Sequence, residues 1–151
     1  MIGRPTTAQV LLDCCRVLDE VLPAVDDETV QVRLVMLGKV LRNAAVRAAH
    51  EVAWMREETG AMEAYARTVA AATGDDGLRT ALAALAAAPR TSLHLDDVVD
   101  VYVRTSDVLS VALEVAVADG EEELVREGES LLSARLAHEN DVVGGWDSAG
   151  R

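Results

Sequence analysis

Two short segments carry the side chains with the most chemical capacity. RAAHEVAW at 47–54 and RLAHE at 135–139 each place an arginine three residues before a His-Glu pair. A guanidinium offers a planar fork for a carboxylate or phosphate. An imidazole can exchange protons near neutral pH or ligate a metal. On a helix, Asn43, Arg47, His50 and Trp54 follow at steps of four, three and four, so they share one stripe. Arg135 and His138 stand one turn apart in the same order. Three readings follow. Arg47 can pair with Glu51, its i+4 neighbour, while Trp54 covers a bundle edge. The stripe can instead meet a partner, because Arg and Trp are enriched where proteins touch. In the third reading, Arg47, His50, Arg135 and His138 converge on a phosphate or carboxylate. Trp146, in the tail, joins Asn43, Arg47, His50, Trp54, Arg135 and His138 as an interface or ligand candidate.

Other chemistries lack their patterns. Di-metal bundles use Glu-x-x-His pairs, and no Glu here is followed three residues later by His. His50–Glu51 and His138–Glu139 are adjacent, so their side chains diverge on a helix. Zinc spacings, a G-x-S-x-G elbow and a Gly-rich phosphate loop are missing. We therefore assign no catalytic residue, no metal and no cofactor, and expect a protein that is not an enzyme. Cys14 and Cys15 read as reduced thiols acting as small hydrophobes.

The elements that position these residues are helices. The 151 residues fit one domain, and half are hydrophobic, mostly Ala, Val and Leu, with no Phe. Thr6 and Gln9 form a capping-box pattern before a stripe of Leu11, Cys14 or Cys15, Leu18, and Val21 or Leu22, and Pro23 ends that helix. DDET at 26–29 starts a second helix that runs to Thr59, with Gly60 as its stop. Leu34, Leu37, Leu41, Ala44, Ala48, Val52 and Met55 form its core stripe. Residues 61–73 give a shorter helix or a continuation past Gly60. GDDG at 74–77 is a turn, 78–88 a short helix, 95–118 a long one, and 121–140 the last. No strand pattern appears. The expectation is an all-α, up-and-down bundle of three long helices and one or two short ones, one domain over 1–143 with a loose tail over 144–151.

The net charge of −12 opposes binding to nucleic acid or to an anionic membrane surface. No apolar run approaches the length of a membrane span and the N-terminus lacks a signal-peptide pattern, so the expected compartment is the cytoplasm.

Arg4-Pro5-Thr6, Leu11-Leu12 and Leu22-Pro23-Ala24, followed by the long helix ending NAAVRAAHEVAWMREE, resemble a family of small helical proteins of uncharacterised domain type. That family is encoded beside aminoglycoside-phosphotransferase-like kinases and acyl-CoA dehydrogenases. The match covers the first 60 residues or so, and the C-terminal half here is longer than the family's usual shape. The resemblance implies a non-catalytic accessory subunit of a phosphotransferase-like kinase or an acyl-CoA dehydrogenase, in acyl-CoA or hydroxy-acid catabolism. The alternatives are a bundle that binds a small acidic, acyl-CoA-like ligand, and a structural homodimer.

Overall fold

The first helix begins where its sequence provides a cap. The Thr6 hydroxyl accepts the Gln9 amide at 3.2 Å, and the Gln9 side-chain oxygen accepts the Thr6 amide at 2.9 Å. Two backbone N–H groups left open by the helix are satisfied reciprocally. In the computed structural model, which describes residues 4–143, this helix is α1 (Thr7–Val21). A short 3-10 turn at Leu22–Ala24, led by Pro23, follows. Then come α2 (Glu28–Thr73), α3 (Asp76–Ala86), α4 (Leu95–Asp119) and α5 (Glu122–Val143). The protein is all-α, a helical bundle with three long helices and two short ones, and no strand occurs among the described residues.

Helix α2 differs from the break expected at Gly60. It continues for 46 residues, about 69 Å at 1.5 Å per residue. One glycine inside a helix costs only about 1 kcal/mol relative to alanine. The following AMEAYARTVAAA is rich in strong helix formers and supplies much of the core, which outweighs that penalty. The helix ends instead at Gly74, whose φ of 72° is the left-handed conformation that closes helices. Asp27 caps the start of α2 through Val30 N (3.1 Å), and Asp75 caps α3 through Leu78 N (2.6 Å).

The chain divides into two compact units, Val52–His138 and Met1–Glu51 with Glu139–Arg151. In Val52–His138 the helices alternate in direction. Glu58 meets Tyr102 and Met62 meets Ser106, so α2 and α4 run in the same sense. Tyr65 meets Leu124 while Glu58 meets Arg135, so α5 runs opposite to α2. Helix α3 carries the chain back between α2 and α4. The core of this unit joins Met62, Tyr65, Ala66 and Val69 of α2 to Leu78, Leu82 and Leu85 of α3 and to Leu109, Ala112 and Ala116 of α4. A close approach lies at Gly128 of α5. A Cβ there would strike Leu113 Cδ2 and lie 2.8 Å from the Tyr65 oxygen.

The unit of Met1–Glu51 and Glu139–Arg151 is built from α1, the first part of α2 and the end of α5. The Cys15 thiol reaches the Gly38 carbonyl at 3.6 Å, and Arg42 holds Asp19 at 2.8 Å. Cys15 and Ala45 are its buried hydrophobic residues among those described. The expected core stripe of α2 holds only in part here: Leu34, Leu41 and Ala44 are half-buried, but Leu37 is 46% exposed and Ala48 is exposed as well. In this part of α2 the inward positions are Gly38 and Ala45 instead.

Candidate functional site

Helix α2 places Trp54 and Glu58 one turn apart, α4 places Tyr102 and Ser106 one turn apart, and α5 does the same with Arg135 and His138. These three pairs meet within Val52–His138. Glu58 is 8% exposed and is the hub. Its Oε1 accepts from His138 Nδ1 at 2.7 Å, which places the hydrogen of that contact on Nδ1. Its Oε2 accepts from the Tyr102 hydroxyl at 2.6 Å and from Arg135 Nε at 3.2 Å. Arg135 Nη2 donates to the Tyr102 oxygen at 2.7 Å, and its guanidinium carbon lies 5.2 Å from the centre of the Tyr102 ring. The His138 ring stacks on Trp54, with centroids 4.8 Å apart and planes 10° from parallel.

The electrostatics follow from burial and pairing. Burial raises the Tyr102 phenol above its usual pKa, and its hydrogen bond to Glu58 adds to the effect because it favours the neutral donor. Burial disfavours the Arg135 cation. The bonds to Tyr102 and the charge of Glu58 more than offset this, so its pKa is raised. Both oxygens of Glu58 are taken by protein donors, and Arg135 spends two of its nitrogens inside the same cluster. The arrangement is a charge-assisted clasp joining three helices.

A second cluster lies in the same unit. Glu63, whose side chain is 12% exposed, accepts from Arg67 one turn on and from Arg90 in the connection between α3 and α4. Arg90 also donates to the Leu85 carbonyl at 3.1 Å. Burial opposes ionisation of Glu63, but the hydrogen bonds and positive charges of Arg90 and Arg67 outweigh it and hold the carboxyl below its usual pKa. A cavity of about 180 Å³ opens beside this cluster, lined by Arg56, Thr59, Gly60, Arg90 and Ser92 among others. It contains none of the interface or ligand candidates named from the sequence.

The sequence candidates therefore separate. Arg135 and His138 do converge on a carboxylate, and it is the protein's own Glu58. Trp54 joins them through His138. Arg47 pairs with Glu51 along its own helix, with an exposed guanidinium. Asn43 is partly buried, and with its amide nitrogen facing the carbonyls it donates to Lys39 O at 3.2 Å and Val142 O at 3.0 Å. His50 is exposed. Trp146 lies outside the described residues. Sequence reading missed Glu58, Glu63 and Arg90. Glu58 was within reach: it stands four residues after Trp54, one further step along the stripe of Asn43, Arg47, His50 and Trp54. Among the described residues, no three of His, Cys, Asp and Glu are gathered as a metal-binding group, and no helix is long and apolar enough to cross a membrane. Set against protein-family models, curated proteins and solved structures, the chain finds no match.

Proposed function

We propose that this protein is a non-catalytic accessory subunit that works by associating with other protein surfaces. One observation carries this reading. The first part of the chain leaves ten apolar side chains between Val10 and Val40 at 40–60% exposure, in a unit with two buried hydrophobic residues among those described. Apolar exposure on this scale, over so small a buried core, supports association with another protein surface. The closed clasp around Glu58 supports the non-catalytic part, because its polar atoms serve each other. The partner class comes from the family resemblance: a phosphotransferase-like kinase or an acyl-CoA dehydrogenase, acting in the cytoplasm.

The test is capture of the tagged chain from its host, with bound proteins identified by mass. A stoichiometric kinase-like or dehydrogenase-like protein, lost when Val17 or Met36 is replaced by Asp, supports the accessory reading. Recovery of the chain without either class removes that partner assignment.

A second reading, binding of a small acidic ligand, is supported by the cavity beside Arg56 and Arg90. Its volume is below the roughly 300–1,000 Å³ of ordinary ligand pockets, so it would take a carboxylate or phosphate end and not a whole thioester. Melting with free CoA and acyl-CoA thioesters tests it, since native-state binding raises the midpoint. No shift at millimolar ligand rejects it.

A further inference from the structure

We infer that the cavity between α2 and the start of α4 is a site for a short aliphatic carboxylate, of about four to six carbons. This rests on the small-acid reading above and names the chemical class of the ligand.

The first observation is charge. Arg56 of α2 donates to the backbone carbonyl of Arg90 at 3.3 Å, so two arginines 34 positions apart in the chain stand side by side at the cavity. Arg56 has no carboxylate partner among the described residues. Arg90 shares Glu63 with Arg67, and its Nε is shielded from solvent without a hydrogen-bond acceptor. A buried N–H donor left without an acceptor is a costly arrangement, which a bound oxygen would relieve. One acid, Asp97, also lines the cavity. Two guanidiniums against one carboxylate leave a net of +1 in the lining, within a protein of net −12. That excess complements a single negative charge, whereas a dianion would keep one charge uncompensated beside Asp97.

The second observation is the set of further donors. Ser92 Oγ accepts the His94 amide at 3.1 Å, so its own proton is left to donate. Helix α4 starts at the cavity with no side chain capping it, since His94 makes no cap bond and Asp97 and Val98 of the first turn are in the lining. The positive end of a 25-residue helix therefore adds to the two arginines.

The third is shape. Val98, which is buried, and Val101, which is half-buried, give the cavity an apolar side. Gly60 also borders it, so α2 presents no side chain at that point. Charge from some residues and apolar contact from others suit an acid with a short hydrocarbon tail. At about 180 Å³ the cavity is slightly larger than the roughly 150 Å³ that holds benzene, so it takes about six to eight non-hydrogen atoms, the range from butanoate to hexanoate.

The test is amide NMR of the full chain titrated with sodium hexanoate at constant ionic strength. The signals of Arg90, Ser92 and Val98 should shift saturably, with a Kd on the order of 1 mM for so small a ligand. From acetate to hexanoate, each added methylene should tighten binding about threefold. Hexanamide has the shape without the charge and should bind about tenfold more weakly. Arg56→Gln should weaken hexanoate by about tenfold as well. The Arg56 side chain is exposed and makes one long hydrogen bond, so the melting midpoint should stay at the wild-type value. Ser92→Ala, in the connection between α3 and α4, is a second variant that should lose affinity and keep the midpoint. Hexanamide binding as tightly as hexanoate, or Arg56→Gln binding like wild type, overturns the inference. So do hexanoate shifts confined to residues before Val52. If inorganic phosphate moves the same signals and hexanoate does not, the carboxylate assignment is wrong and the small-acid reading stands. If no carboxylate binds but CoA or its thioesters raise the melting midpoint, that reading also survives, at another surface. If none of these ligands binds, both fall.

Discussion

At the scale of the residue, the decisive atom group is the Glu58 carboxylate. It is buried, and it receives Tyr102, Arg135 and His138. Removing one partner of a buried pair leaves the other charge without compensation, which costs about 3–5 kcal/mol. Glu58→Ala should therefore lower stability by that order in urea titrations, far more than Arg47→Ala. Arg47 pairs at the surface, where one ion pair is worth about 0.2–1 kcal/mol. A Glu58→Ala variant as stable as wild type would remove the clasp from any account of the fold. The pKa shifts give two limbs of opposite sign. The folded pKa of Glu63 is depressed, so its contribution is complete above the ordinary carboxylate pKa of about 4.3 and is lost as pH falls through the folded value. Glu63→Gln should flatten the acid limb of midpoint against pH. The folded pKa of Tyr102 is raised, so its contribution is complete below the ordinary phenol pKa of about 10 and is lost as pH rises through the folded value. Tyr102→Phe should flatten the alkaline limb, and thermal melts across both ranges check the pair.

At the scale of the element, two glycines sit in helices for opposite reasons. A Cβ on Gly60 would meet nothing within 4 Å, so the residue is only a conformational cost to α2. Gly60→Ala should stabilise by about 0.5–1 kcal/mol, the difference in helix propensity. Gly128 lets α5 approach Leu113 and Tyr65. Gly128→Ala should destabilise by about 1–3 kcal/mol, the usual cost of overpacking. Paired denaturant curves check both directions, and a stabilising Gly128→Ala would mean that α5 shifts outward freely. Two of the caps are legible in the sequence, Thr6 with Gln9 and the aspartates of 26–27, whereas Asp75, which caps α3, reads there as part of a turn over 74–77. The continuity of α2 is not legible either. Gly60 is a weak local signal, and the burial of Met62, Tyr65 and Val69 that overrides it depends on other helices.

At the scale of the whole molecule, apolar burial is uneven between the two compact units. Local stability follows buried apolar contact. Amides of α1 and of residues 30–42 should therefore exchange faster than those of residues 62–70 in dilute protein. Equal protection in the two regions would contradict the uneven core. The acidic charge is concentrated after residue 51 and keeps that part of the surface solvated.

The helical class, the capped starts, the small-residue composition and the pairing of Arg135 with His138 on one face were determined by sequence alone. They arise from backbone hydrogen bonding and side-chain spacing within three or four residues. Tertiary structure decided which carboxylate those two residues seek, since Arg135 and Glu58 are 77 positions apart in the chain. It also decided that Leu37 faces outward while Ala45 faces inward. A periodic stripe states which side chains share a face, but only the arrival of another helix determines whether that face is buried, and against what.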